Sequence, residues 1–278
     1  MRTTGLLLSA LVLPTLLLPA CAEPPAEVPD TVGELNLDLG ELSLWLFAHL
    51  NDDNIDQLGV GARDMRALLQ DHSAALDDHT DREPRTWGLP ILDGDNLNVN
   101  VWAGADPDLQ LPVGVGFRSQ HSLDDHGLAL QLTDQTPVET ASSASYDREF
   151  LSDVGCFVDG SCDSLTARET IHRVNSLLDL VYVQEKEYRR VPLYEEEGVM
   201  ILGRSWTTQQ YREEAPNQDT IDQWTGMSIN ISEGDSTLRF NTLWGSSNLA
   251  LQDSFLISQV ADGMEEGYLA TEAWLAAN

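Results

Sequence analysis

The chain has 278 residues, with 46 acidic against 15 basic side chains, a formal net charge of -31 and 42% hydrophobic residues. So acidic a surface repels polyanions and anionic lipid, which excludes a nucleic-acid binder, because phosphate neutralisation needs clustered Lys and Arg. The ordinary apolar content excludes disorder throughout and is enough for a substantial core.

In chain order, residues 6–18 are almost unbroken apolar sequence. The run contains Pro14 and falls short of the roughly 20 apolar residues that span a bilayer, so residues 1–20 read as a signal peptide. It ends in Leu18-Pro19-Ala20-Cys21, which resembles the lipobox of bacterial lipoproteins: an aliphatic residue, a variable one, a small one, then cysteine. The resemblance implies export, diacylglycerol on the Cys21 thiol, cleavage before that cysteine and acylation of the new amino group. More than one acyl chain gives durable attachment to a membrane. Ala22 after the cysteine points to the outer membrane over the inner. Residues 21–33, rich in proline and acid, read as an extended tether.

Residues 34–80 are expected to form a helical hairpin. Leu42, Trp45, Leu46 and His49 share one face of a helix over 41–50, and Ala62, Met65, Leu68, Leu69 and Leu76 one face of a helix over 61–77. The two meet at Asn51-Asp52-Asp53-Asn54. Residues 81–278 are expected to be a mixed domain. Short strand-like pieces at 87–92, 97–102 and 111–117 precede a short helix at 122–132, and 133–145 reads as a polar connection. Four β-rich runs follow, at 177–191, 199–208, 221–233 and 237–245, separated by acidic or Gly/Asp-bearing turns that include residues 216–219. Met227, Ile229 and Ile231 alternate with Ser228, Asn230 and Ser232, so one face of this antiparallel meander is apolar. Residues 254–276 have a helical period with Leu256, Val260, Met264 and Thr271 in one stripe. Gly263 and Gly267 beside that stripe cost helix propensity, which predicts close approach of the helix to the sheet.

The fold class is therefore α+β: an antiparallel meander packed against a long C-terminal helix, with an N-terminal helical hairpin. In order of elements only, a meander followed by a terminal helix resembles the helix-grip arrangement of START-like lipid-binding domains. The resemblance implies a cavity between sheet and helix that holds an apolar ligand.

Of three cysteines, lipidation of Cys21 leaves Cys156 and Cys162, which flank an Asp-Gly turn and are expected to form a local disulfide in an exported protein. GxSxG, HExxH, Walker and GxGxxG patterns are absent, so no catalytic residue and no cofactor is assigned. His72 with His79, or His121 with His126, could pair on a metal, but solvated histidines explain them better. Asp93-Gly94-Asp95-Asn96 lacks the glycine and glutamate positions of a calcium loop. The only lysine is Lys186. Near it Tyr188, Arg190, Arg204 and Trp206 concentrate scarce cations and aromatics, and are the candidate ligand-binding residues. The competing reading pairs these arginines with Glu185, Glu187 and Glu213 across the outer face of the sheet.

The function expected is a noncatalytic, membrane-anchored envelope lipoprotein that binds an apolar small molecule or lipid, or an envelope protein partner, and no nucleic acid. An envelope hydrolase with a carboxylate-based site, or a structural lipoprotein, are the alternatives.

Overall fold

The computed structural model describes residues 37–278 apart from 95, 98, 176–177 and 214–218. The expected signal peptide, Cys21, the tether, part of the Asp93 loop and most of the turn at 216–219 lie outside the described residues.

The N-terminal helices form where the sequence supplies caps. Helix α1, Leu39–His49, opens on a capping box in which Asp38 accepts from the Glu41 N–H and Glu41 returns the bond to Asp38. Helix α2, Ile55–Asp71, starts six residues earlier than the apolar period predicts, because Asn54 accepts from the Gln57 N–H and caps it. At His72 the helix gives way to a separate turn, α3, Ser73–Asp77. The glycine at 59 hid the early start, but its absent side chain is required: a Cβ there would lie 2.6 Å from the Pro192 carbonyl oxygen. Helix α2 therefore crosses the sheet at backbone contact.

Among the described residues nine strands form one antiparallel sheet: β1, Thr86–Gly88; β2, Leu111–Ser119; β3, Ser143–Phe150; β4, Ser164–Val174; β5, Asp179–Pro192; β6, Val199–Thr207; β7, Tyr211–Arg212; β8, Thr220–Glu233; and β9, Ser236–Ser247. Their order is β1-β2-β9-β8-β6-β5-β4-β3, with β7 attached to β8. The four predicted C-terminal runs are β5, β6, β8 and β9. Among the described residues of 97–102 no strand forms, and the predicted strand at 87–92 shrinks to β1. Strands β3 and β4 occupy sequence in which no strand was predicted. In β4 the inward row is Leu165, Ala167, Glu169 and Ile171, and the charge inside that row conceals its period. The short helices α4, Leu123–Leu130, capped by Ser122, and α5, Val154–Val158, connect β2 to β3 and β3 to β4. Cys156 and Cys162 are disulfide-bonded with Cα atoms 5.2 Å apart, and staple the α5 connection.

The two faces of the sheet have different covers. Met200, Leu202, Met227, Ile229, Ile231, Leu238, Phe240 and Trp244 pack with Leu42, Leu46, Phe47, Leu58, Met65 and Leu69 into the largest core. The apolar row of the meander thus meets the helical hairpin, which shares one core with the sheet. The C-terminal helix α6, Asp253–Leu275, lies on the other face. It is anchored along β2, where Ala261 and Tyr268 meet Val113, Val115 and Phe117 and the Tyr268 hydroxyl donates to the Val115 carbonyl at 2.7 Å. Among the described residues no helix is long and apolar enough to cross a membrane.

Candidate functional site

Between α6 and the sheet lies a cavity of about 320 Å³, at the lower end of the roughly 300–1,000 Å³ of small-molecule sites. Its helical wall is the predicted stripe of Leu256, Val260, Met264 and Thr271, with Gly263 and Gly267 between them. The expectation that these glycines mark close approach is overturned. A Cβ on Gly267 would meet no atom within 4 Å, and one on Gly263 only the Thr140 methyl at 3.9 Å. The helix is held tight at Ala261 and Tyr268, and its glycine edge faces open space.

The opposite wall comes from alternate residues of the strands, those turned away from the hairpin. Ile171, Leu178, Trp224 and Leu243 supply apolar surface, and Gln184, Lys186, Ser205, Ser228, Arg239 and Asn241 supply polar groups. Beneath the Lys186 side of the wall is a closed network on the fully buried Glu169. Its carboxylate accepts from the Tyr146 hydroxyl at 2.5 Å, Gln184 Nε2 at 2.5 Å and Arg148 Nε at 2.8 Å, with Lys186 Nζ 3.6 Å away. Burial alone would raise the Glu169 pKa, but Lys186, Arg148 and the two neutral donors outweigh it and hold it down at about 2. The same pairing leaves the Lys186 pKa above its ordinary value against the opposing effect of burial. Burial, with Glu169 adding to it, keeps the Tyr146 hydroxyl protonated far above its usual range.

Arg173 and Arg239 also line the cavity. Arg173 is fully engaged: Nη1 donates to Thr140 Oγ1 at 2.9 Å and Ser143 Oγ at 2.6 Å, and Nη2 faces Glu139 at 3.5 Å. Arg239 is not. Its Nε donates to Asn230 Oδ1 at 3.1 Å and its guanidinium lies 4.6 Å from the Tyr268 ring centre, but Nη1 is buried without a hydrogen-bond partner. Burial drives its pKa below the usual arginine value.

The four candidate residues read from the sequence are not brought together. Tyr188 is buried beside Phe157 and Leu165, with the Lys186 ammonium 5.2 Å and the Arg148 guanidinium 5.8 Å from its ring centre. Arg190 lies beside Gly160 of the disulfide loop, its backbone N–H bonded to the Asp163 carbonyl at 2.7 Å. Arg204 borders the cavity, yet its side chain turns to the hairpin face. There it donates to the Phe47 carbonyl at 2.9 Å and to Glu187 Oε2 at 2.9 Å, the cross-strand pairing of the competing reading. Trp206 is on that face too, and with Arg204, Asn51 and Glu187 it edges a shallow polar recess. Arg173, Arg239, Gln184 and the buried Glu169 carried no sequence signal that singled them out. Lys186 did, as the sole lysine.

His79 stacks on Phe117 at 4.1 Å, His72 meets Trp87 edge to face, and His126 is buried with its Nε2 2.8 Å from Ser119 Oγ. Among the described residues no group of three or more His, Cys, Asp or Glu side chains is placed to hold a metal ion.

No protein-family model matches the chain, and no curated protein matches its sequence. Among solved structures the chain is similar to a STAR-related lipid transfer protein fragment from Xanthomonas axonopodis, at 9% identity over 59% of this chain and 85% of that one, with a TM-score of 0.41. It is similar to a START superfamily protein from Mycobacterium smegmatis at 11% identity over 60% and 97%, TM-score 0.37. The di-domain aromatase/cyclase StfQ of the steffimycin biosynthetic pathway overlaps at 10% identity over 61% and 52%, TM-score 0.39. What this chain can bind is read from its own cavity walls.

Proposed function

We propose that this protein is a noncatalytic binding protein that holds an apolar small molecule or lipid between α6 and the sheet, displayed at the cell envelope by lipid on Cys21. The observation that carries the reading is the open space beside Gly263 and Gly267. A glycine inside a helix costs about 1 kcal/mol relative to alanine, and alanine would fit at Gly267 without touching anything. A chain that leaves that space unfilled forgoes stability, and a bound molecule accounts for it. The mixed wall, apolar with few polar groups, suits an amphiphile.

Native mass spectrometry of the protein purified from its own host tests the reading, the expected result being a retained noncovalent small molecule. The variant Gly267→Phe, which fills the cavity from the helix side, is expected to lose that mass. Retention unchanged by the plug would place the ligand elsewhere and refute the proposal. The anchoring half has its own test: Cys21→Ser is expected to block processing and release the protein from membranes, and unaltered fractionation of that variant would overturn it.

A further inference from the structure

The charges around the cavity are of the wrong sign for this chain. The protein carries a net charge of -31, yet the charged residues on the cavity wall are Arg173, Lys186, Arg204 and Arg239 against Glu139 alone among the described residues. Arg204 is answered by Glu187 on the other face, and Arg173 by Glu139. Lys186 shares Glu169 with Arg148. Arg239 makes no ion pair among the described residues: Glu272, the carboxylate next to it on α6, turns its Oε2 to the Gln120 N–H at 3.2 Å and to His121 at 4.0 Å. Glu272 and Glu139 act on Arg239 only from beyond ion-pair distance, and a desolvated cation without a paired carboxylate is destabilising. Arg239 as a whole is half-buried and lines the cavity, with Nη1 the atom that is desolvated and unpartnered. On the sheet, Asn230 pairs with Arg239 and Ser228 with Asn241, which puts neutral donors in the neighbouring row.

We infer that the cavity takes a single-chain amphiphile with an anionic head, a carboxylate or a phosphate, and that Arg239 is the residue that receives the head. The apolar tail then runs along α6 past Met264 and Val260 toward Leu256 and Leu249, all of which line the cavity. A volume of about 320 Å³ suits one chain and not the two of a phospholipid. The inference rests on the cavity reading above and adds the charge of the ligand and the place of its head.

Calorimetric titration of the purified protein with dodecanoate, dodecyl phosphate and dodecanol tests it. At least one anion is expected to bind roughly tenfold or more tightly than the alcohol, the size of one charge-assisted hydrogen bond, and whichever anion binds tighter identifies the head. Arg239→Met is expected to abolish the preference while still binding the alcohol, and Arg239→Lys to keep part of it. Equal binding of all three probes to the unaltered protein would overturn the anionic head and leave the cavity reading standing, a result that does not depend on any variant folding. Preference retained in Arg239→Met but lost in Lys186→Met would move the head across the sheet and overturn the assignment. Binding of none of the probes would refute the cavity reading itself.

Discussion

The two faces of one sheet show how this chain separates stability from recognition. On β8 the residues Met227, Ile229 and Ile231 belong to the core under the helical hairpin, while Gly226 and Ser228 on either side of Met227 line the cavity. On β9, Leu238 and Phe240 alternate in the same way with Arg239 and Asn241. Side chains of successive strand residues point to opposite faces, so each strand contributes to both surfaces independently. The hairpin face is filled with apolar side chains. The α6 face carries Arg173, Lys186 and Arg239, the amides and the unfilled space, whereas Arg204 turns to the hairpin side.

The largest effects are expected where a filled face is emptied. Phe240→Ala, at a fully buried position against Trp87 and the hairpin, is expected to cost about 3–5 kcal/mol in urea unfolding. Met264→Ala, on the cavity wall, is expected to cost about 1 kcal/mol or less. Equal losses would mean that the two faces bear the fold alike and would break the comparison.

Close behind is Glu169→Gln, which leaves Arg148 and Lys186 facing each other without the carboxylate; about 3–5 kcal/mol is expected from removing one partner of a buried ion network. The sign of its pH dependence follows from the depressed pKa. Stability owed to Glu169 is full above its unfolded value, near 4.5, and is lost as pH falls toward about 2. Acid denaturation curves of the parent and Glu169→Gln should therefore converge below pH 4.5. A constant gap down to pH 2 would show that the carboxylate is not held ionised.

The contrast between the faces also explains how much was legible in the sequence. β8 and β9 were visible because their hairpin-facing residues form an apolar period, β5 and β6 because β-rich runs lie between turn residues, and α6 because its stripe recurs at helical spacing. β3 and β4 were not, since Arg148 and Glu169 stand at inward positions and answer each other across the pair, a compensation visible only once the strands are aligned. The site was legible as a place but not as a set of residues. The sheet-helix cavity was expected only from the resemblance to helix-grip domains, whereas choosing between Arg204 and Arg239 requires knowing to which face each strand turns its odd and even residues. Register settles that, and the composition of β6 alone does not.

A smaller effect is expected at His126. Burial, reinforced by Arg239 and His121, holds its pKa down at about 2, so it is neutral in the folded protein. Unfolding lets it take up a proton below its ordinary value of 6.5, and stability is lost as pH falls through that value at about 1.4 kcal/mol per pH unit. The window from pH 6.5 to 5 lies above the ordinary carboxylate range, so a loss of about 2 kcal/mol there is the signature of His126. His126→Gln should flatten it while keeping a hydrogen bond to Ser119; a slope unchanged in that variant would assign the loss to another group.

The smallest effect has the most discriminating sign. Glycine to alanine should act oppositely in the two helical covers. At Gly59 the new methyl would press on the Pro192 carbonyl oxygen at 2.6 Å, so Gly59→Ala is expected to destabilise. At Gly267, where the methyl meets nothing within 4 Å, Gly267→Ala should stabilise the protein by about 1 kcal/mol through helix propensity. The same methyl intrudes on the cavity, so stabilisation should come with weaker binding of dodecanoate. A stabilised variant that binds as well as the parent would show that the space beside Gly267 is not where the ligand lies. A destabilised one would show that the helix does rest on its glycines, and that the two faces of the sheet are packed alike.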